Sequence, residues 1–303
     1  MHLWTRLEHG HLHGFCDRIK KLDRTSPKDV SAFLEKNGLV PLKKFGQNFL
    51  VDGNIVEKIA QCVPMRDGNV LEIGMGLGAL TGALCGRAAR VVSIEIDKGL
   101  VAARAQTAGE LKNLTVIEGD ILKADLKALG EAYFAGQPFD VCGNLPYYIT
   151  SKILLHVLQS GAPVQNLVVM VQKEVAQRLA ANAGDASYGA LTASCRYYAD
   201  PRLLFTVSPR CFYPAPDVDS AILLLDLARG PLAVPRKSYV KTVRAAFAMR
   251  RKTLLNNLKQ IAPPGEVARV LAALSIDPKS RAQDLSPEGF AAVAAGLFGD
   301  GEG

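Results

Sequence analysis

Short apolar runs recur along the first three-quarters of the chain, at Val70–Ile73, Val91–Ile94, Thr115–Ile117, Phe139–Cys142 and Leu167–Val171. Each is too short for a helix and most are rich in Val and Ile, the pattern of a strand buried on both faces. Between them lie segments with helical spacing, for example Ala79–Cys85 and Lys98–Gln106. Strand and helix in alternation predict a parallel sheet covered by helices on both sides. Two further strand-like stretches, near Cys195–Phe205 and Ser220–Leu227, predict an antiparallel hairpin at the sheet edge. Before the sheet, Ser26-Pro27-Lys28-Asp29 carries the signature of a helix start, and Asn37-Gly38 a stop. A second helix is predicted at Asn54–Cys62. Past Gly230-Pro231 and Pro235 every periodic stretch reads as helix: Tyr239–Gln260, Gly265–Leu274 and Pro287–Leu297. In the first of these Val240, Val243, Phe247, Leu254 and Leu258 form the expected core stripe. The pattern thus divides the chain into residues 1–22, read as a flexible extension, an α/β domain at 23–228, and a helical domain at 229–303.

Composition sharpens this picture. At 303 residues and 49% apolar content the chain can bury a full core. The net charge is +7, and residues 229–303 hold 12 Lys+Arg against 6 Asp+Glu. The positive excess therefore sits in the helical tail, which suggests a polyanionic partner. From Arg236 to Lys259 there are eight Lys/Arg and no acid. Helical spacing gathers Lys241, Arg244, Arg251 and Lys252 on one face, candidates for nucleic-acid phosphate contacts. The six cysteines are scattered without a C-x-x-C pair, as expected of reduced thiols in a cytoplasmic protein. No apolar run is long enough for a transmembrane helix, and no secretory signal opens the chain. Four of the five histidines (His2, His9, His11, His13) fall near the start, with Cys16 behind them. That spacing suits a metal, but biased termini are commonly unstructured, and no metal site is assigned.

Two motifs carry chemistry. Gly74-x-Gly76-x-Gly78-Ala79 follows a predicted strand and opens a helix, where glycines let backbone N–H groups approach a ligand. Glu95 ends the next strand, where an acid can bind the two hydroxyls of a ribose. This pair alone fits NAD or S-adenosylmethionine equally. Gly119-Asp120, at the end of the third strand, adds a carboxylate able to accept from an adenine amine. Asn144-Leu145-Pro146-Tyr147 ends the fourth strand: an amide, a backbone carbonyl, a rigid turn and an aromatic ring. Asn144 and the Leu145 carbonyl can each accept from an exocyclic amine while Tyr147 stacks on the base. A dehydrogenase has no use for that group, so the set favours methyl transfer from S-adenosylmethionine to a base amine. The aromatic and proline-rich stretch Cys211–Asp217 offers Phe212 as a second wall facing Tyr147 across a flipped-out base.

The ordered motifs resemble the ribosomal RNA adenine dimethyltransferases, the KsgA-type enzymes. The resemblance covers residues 26–297. It rests on Phe45-Gly46-Gln47-Asn48-Phe49-Leu50, Glu72-Ile73-Gly74-x-Gly76-x-Gly78, Ile94-Glu95-Ile96-Asp97, Gly119-Asp120, Asn144-Leu145-Pro146-Tyr147-Tyr148, Gln172-Lys173-Glu174-Val175, Phe212-x-Pro214-x-Pro216-x-Val218-Asp219-Ser220, Arg250-Arg251-Lys252-Thr253 with Asn256 or Asn257, and Leu285-Ser286. It implies a Rossmann-like methyltransferase sheet with a small all-helical C-terminal domain. It implies an S-adenosylmethionine site at Gln47, Asn48, Leu50, Gly74, Gly76, Gly78, Glu95, Asp120, Ile121 and Asn144. The target adenine would be held by Asn144, Leu145, Pro146, Tyr147 and Phe212. The implied product is N6,N6-dimethyladenosine at two adjacent adenosines near the 3′ end of 16S rRNA, made by a monomer acting on the immature small subunit. Three rivals remain at this point: an NAD-dependent oxidoreductase is kept only by the glycine loop and Glu95, and two others are weightier. One is a macrolide-resistance-type enzyme of large-subunit RNA, which the Leu145 form of the motif and the Arg-Arg-Lys-Thr tail disfavour. The other is an assembly factor that binds RNA and whose methylation is incidental.

Overall fold

A computed structural model of the chain describes residues 22–42 and 46–299. The histidine-rich start, Cys16 and Phe45 lie outside the described residues. The helix α1 spans Pro27–Lys36, and the Ser26 side chain caps it by accepting from Asp29 N. A two-residue strand, β1 (Phe49–Leu50), precedes α2 (Gly53–Cys62). The α/β series then runs β2 (Asn69–Ile73), α3 (Ala79–Cys85), β3 (Arg90–Glu95), α4 (Lys98–Thr107), β4 (Leu114–Glu118), α5 (Leu126–Phe134), β5 (Phe139–Asn144), α6 (Thr150–Gln159) and β6 (Val164–Gln172). After it come α7 (Lys173–Ala180), α8 (Ala190–Arg196), β7 (Asp200–Val207), β8 (Phe212–Tyr213) and β9 (Ser220–Asp226). The last helices are α9 (Arg236–Ala246), α10 (Leu254–Leu258), α11 (Pro264–Ala273) and α12 (Pro287–Phe298).

Seven strands form one sheet in the order β4-β3-β2-β5-β6-β9-β7. The strands from β2 to β6 pair in parallel, as their apolar runs predict. β9 is antiparallel to β6, and β7 to β9, which makes the expected hairpin edge. Alternating side chains serve two cores. Leu71, Val92, Val141 and Val169 pack with α5 and α6. Val70, Val91, Cys142 and Val168 pack with α2 and α3 on the other face. The chain leaves β2 in one direction and reaches β5 and β6 on the other side, so the strand order reverses between β2 and β5. In open α/β sheets such a reversal opens a ligand crevice at the carboxyl ends of the strands. The fold is therefore a Rossmann-like α/β sheet followed by a run of helices at the C-terminal end of the chain.

Two expectations are corrected. Cys195 and Arg196 end a helix; the strand there begins at Asp200. An apolar run of that length does not separate helix from strand, and here Tyr197 packs into the helical core instead. The stretch Tyr239–Gln260 is two helices rather than one. Asn257, fully buried, donates through Nδ2 to the carbonyls of Ala246 (2.6 Å) and Met249 (3.0 Å), which ends α9. Thr253 then caps α10 by accepting from Asn256 N. The cations consequently part company: Lys241 and Arg244 lie on α9, whereas Arg251 and Lys252 lie in the turn before α10. Of the predicted core stripe, Val243, Leu254 and Leu258 are buried, with Val240 and Phe247 half-buried.

The helical segment is not isolated from the sheet layer. Tyr239 donates to the Ala193 carbonyl at 2.9 Å, and Tyr197 to the Val234 carbonyl at 2.7 Å. Its core draws in Tyr188, Ala193 and Tyr197 from around α8. Among the described residues no helix is long and apolar enough to cross a membrane.

Candidate active site

The crevice at the carboxyl ends of β2 to β5 is a cleft of about 1040 Å³, open to solvent. Its floor is the glycine turn after β2. Gly74, Gly76 and Gly78 have φ of +80°, +56° and +83°, a region closed to most side chains. A Cβ at Gly74 would stand in open space on the cleft side, so this glycine keeps the cavity clear. Gly78 serves differently: it is the N-cap of α3 and does not line the cleft.

Glu95 is buried at the end of β3. Its Oε2 accepts from Gly76 N and its Oε1 from Asp97 N, both at 2.9 Å. One carboxylate thereby ties the glycine turn to the start of α4. Burial pushes its carboxyl upward, and the amides of Asp97 and Gly76 pull it back. Asp97 is a second junction: it caps α4 and accepts from Gln47 Nε2 at 2.7 Å. Gln47 in turn accepts from Leu42 N at 2.8 Å, which docks the segment before β1 over the cleft. That segment is pinned from behind by the pairing of β1 with β8. Asp120 follows β4, caps a short turn by accepting from Leu122 N at 3.0 Å, and lines the cleft together with Ile121.

Asn144, the last residue of β5, donates through Nδ2 to the Asn48 carbonyl at 2.9 Å. This fixes the amide plane and leaves Oδ1 as its acceptor end. Leu145 is buried, its N–H bonded to the Met170 carbonyl at 3.0 Å, so the turn that follows is anchored to β6. Pro146, with φ −60°, redirects the chain into a short 3₁₀ turn over Tyr147–Ile149. The Tyr147 hydroxyl meets Ser220 Oγ on β9 at 2.6 Å, which holds the half-buried ring in place.

Gln47, Asn48, Leu50, Gly74, Gly76, Glu95, Asp120, Ile121, Asn144 and Pro146 all line this one cleft. Leu145, Tyr147 and Phe212 do not line it. Phe212 is 4% exposed and packs in the core with Leu50, Met170 and Ile222. A ring so placed supports the β1–β8 ledge. Sequence reasoning passed over Ile96 and Tyr148, which line the cleft while remaining 43% and 59% exposed. An apolar residue directly after a strand-end acid was the available signal for the first, and the aromatic pair at 147–148 for the second.

Comparison with known proteins shows which family the chain belongs to. A family model described as ribosomal RNA adenine dimethylase matches residues 42–297. The chain belongs to the ribosomal RNA adenine dimethylase family. The ribosomal RNA small subunit methyltransferase A of Moorella thermoacetica is 41% identical over 281 residues, covering 90% of this chain and 98% of that protein. The protein of the same name from Lachnoclostridium phytofermentans is 40% identical over 276 residues, covering 88% and 95%. Among solved structures, a dimethyladenosine transferase from Plasmodium falciparum superposes with a TM-score of 0.69 at 26% identity, covering 80% of this chain and 95% of that one. The 23S rRNA methyltransferase ErmE superposes at 0.67 with 27% identity, covering 82% and 99%. The chain is an S-adenosylmethionine-dependent methyltransferase.

The cleft fits that cosubstrate. Ile73, Ile94, Ile96 and Ile121 give apolar walls for a purine. Glu95 offers a carboxylate to a ribose diol, and the glycine turn leaves room for close backbone approach. Beneath the turn, Glu72 is fully buried and accepts from Thr81 Oγ1 at 2.8 Å. Burial pushes its carboxyl from 4.5 up to about 7, partly offset by the Thr81 bond and reinforced by nearby Glu95. Between those two values the folded protein keeps a proton that the unfolded chain releases. Stability must then fall as pH rises through that window and level off above it. Glu72→Gln, which is neutral throughout, is expected to remove this decline and to stabilise the protein above pH 7 by up to about 3 kcal/mol. Thermal denaturation of both proteins between pH 5 and 8.5 checks this; parallel profiles would refute it.

Proposed function

We propose that the chain transfers methyl groups from S-adenosylmethionine to the N6 amines of two adjacent adenosines in the hairpin loop near the 3′ end of 16S rRNA. We place this reaction in the cytoplasm, on the immature small subunit, with the protein acting as a monomer. The observation that carries the reading is the fixed amide of Asn144. Its donor end is spent on Asn48, so its acceptor end is presented at the strand terminus beside the cleft.

S-adenosylmethionine supplies an electrophilic methyl group on a sulfonium. The chain's own residues must make a poor nucleophile competent, because the N6 lone pair of adenine is delocalised into the ring. Hydrogen bonds from N6 to Asn144 Oδ1 and the Leu145 carbonyl favour a pyramidal nitrogen and localise that lone pair. Tyr147, held by Ser220, supplies the stacking face, and Pro146 sets the turn between donor site and base. We assign Phe212 to supporting β1 and the Asn48 carbonyl rather than to stacking. The contribution is positioning and electrostatics: in-line displacement would form the N6–methyl bond as the sulfonium C–S bond breaks, releasing S-adenosylhomocysteine, with the N6 proton passing to solvent and no covalent enzyme intermediate. The adenosine must leave its stack to reach the site, which suits an unpaired loop. We further assign the methyl-transfer chemistry to residues 23–228 and RNA docking to 229–303. Lys241, Arg244, Arg251 and Lys252 are exposed in that second part.

Large-subunit RNA is the second reading, prompted by the likeness to ErmE. The roughly 40% identity to proteins named for the small subunit favours the first. Mass spectrometry of rRNA from a strain lacking the endogenous activity, with and without this protein, tests both. N6,N6-dimethyladenosine is expected in small-subunit RNA; its absence there, or its presence in large-subunit RNA, would overturn the reading.

A further inference from the structure

Dimethylation uses the cosubstrate cleft twice for each adenosine. Each transfer forms an N6–C bond, breaks the sulfonium C–S bond and passes the N6 proton to solvent, which leaves neutral S-adenosylhomocysteine in the cleft. After the first transfer N6 still carries one N–H, enough to bond Asn144 Oδ1 or the Leu145 carbonyl. The spent cosubstrate is then exchanged either with the adenosine in place or after it has left. The turn around Pro146 distinguishes these routes.

Tyr147 and Tyr148 are consecutive in a 3₁₀ turn, so their side chains diverge by about 120°. They serve opposite sides of β5 in the order β3-β2-β5-β6-β9. The Tyr147 hydroxyl meets Ser220 Oγ at 2.6 Å, and Ser220 pairs with Gln172 across β9 and β6. Tyr148 turns the other way and lines the cosubstrate cleft together with Ile94 on β3 and Ile96 just after it. Its ring lies against the segment before β1: a Cβ on Gly46 would stand 3.7 Å from Tyr148 Cδ1 and 3.9 Å from Pro146 Cβ. Below this contact Asn144 Nδ2 donates to the Asn48 carbonyl at 2.9 Å, and Asn48 Nδ2 to the Gly46 carbonyl at 3.2 Å. Pro146, the Tyr148 ring and Gly46 thus part the Tyr147 side of the turn from the mouth of the cleft.

The backbone of this partition is fixed. Leu145 N bonds the Met170 carbonyl at 3.0 Å, Ile149 N the Pro146 carbonyl at 3.3 Å, and Thr150 Oγ1 donates to the same carbonyl at 3.0 Å. The Tyr148 side chain is not fixed in this way. It is 59% exposed, and its hydroxyl has no hydrogen-bond partner among the described residues, in contrast to Tyr147. Ile96, also exposed, gives the mouth a second apolar side chain. Exposed apolar surface around a cleft marks a place of ligand contact.

We propose that the cosubstrate cleft has a port of its own, gated by the Tyr148 ring, through which S-adenosylhomocysteine leaves and S-adenosylmethionine enters while the adenosine stays at Asn144. Both methyl groups are then added in one encounter with RNA. The proposal rests on the dimethylation reading given above. Because the ring and not the hydroxyl closes the port, phenylalanine serves in its place.

Two measurements test it. In the first, release of S-adenosylhomocysteine is timed from the free protein and from protein saturated with under-methylated small subunits. The two rates are expected to agree within about threefold; a fall of about tenfold or more with RNA bound would overturn the proposal, because RNA would then cover the way out. Tyr148→Ala is expected to speed release about tenfold in both states, and Tyr148→Phe to match wild type. Wild-type release from Tyr148→Ala would overturn the gate. In the second, the protein is bound to heavy-isotope-labelled small subunits. The reaction is started with S-adenosylmethionine together with an excess of unlabelled subunits, which capture any protein that dissociates. Mass spectrometry of the heavy rRNA is expected to find more dimethyladenosine than monomethyladenosine. Monomethyladenosine alone would overturn the proposal, since the adenosine would have left before the exchange. If small-subunit RNA gains no methyl group under any condition, the proposed function fails instead. The release measurement, repeated with the RNA that does bind, needs no methyl transfer and still decides the port.

Discussion

Replacing Asn144 with alanine is expected to slow methyl transfer by ~10²–10³ while S-adenosylmethionine and RNA still bind, the loss typical of removing one preorganised electrostatic group. The site's geometry argues for so large an effect. Asn144 Nδ2 is bonded to the Asn48 carbonyl at 2.9 Å, so no rotation of the side chain is needed when the adenine arrives. Its backbone ends β5 between two parallel neighbours, β2 and β6, and the side chain is half-buried, so truncation leaves the sheet intact. Asn144→Asp separates the two ends of the amide. It keeps an acceptor for N6 but points a carboxylate oxygen at the Asn48 carbonyl, and should fall between alanine and wild type. Single-turnover rates on under-methylated small subunits, at saturating S-adenosylmethionine, decide the matter. A rate for Asn144→Ala within about threefold of wild type would mean that N6 is activated elsewhere.

The glycine turn, Glu95, Asp120 and Asn144 were legible because each sits at a strand end that a short apolar run announces. In a parallel sheet those ends share one edge, so four separate sequence positions converge on one cleft without any knowledge of contacts. What was illegible depends on partners distant in sequence. The break between α9 and α10 comes from Asn257 reaching back to the Ala246 and Met249 carbonyls, and nothing in the spacing from Tyr239 to Gln260 signals it. The helical assignment of Cys195 depends on the core that Tyr197 shares with Tyr239. The cluster of aromatic and proline residues at 211–217 suggests Phe212 as a second wall facing Tyr147. The pairing of Phe212 through β8 with Leu50 turns the ring into the core, a fact fixed by register across more than 150 residues. The basic face split for the same reason as the helix: a face exists only as far as its helix runs.

Glu95→Ala is expected to weaken S-adenosylmethionine binding on the order of 100-fold or more while leaving RNA affinity within about twofold. Two hydrogen bonds from a ribose diol to a carboxylate are worth about 1.5–3 kcal/mol each, and each 1.4 kcal/mol is tenfold in affinity. The same carboxylate also accepts from Gly76 N and Asp97 N, so alanine frees the glycine turn and the start of α4 together. Glu95→Gln separates these contributions, because it keeps one acceptor for Gly76 but turns an amide N–H toward the Asp97 N–H or the ribose. Its loss should be smaller than that of alanine. pH gives an independent reading. Binding needs the ionised carboxylate, and burial raises the pKa of Glu95. Affinity should therefore begin to fall, as pH is lowered, sooner than an ordinary carboxylate would allow, and Glu95→Gln should lack that dependence. Isothermal titration with S-adenosylmethionine at several pH values, set beside RNA binding by the same proteins, measures all three effects. Wild-type affinity in Glu95→Ala would remove the ribose from this carboxylate and leave it a purely structural clasp on the glycine turn.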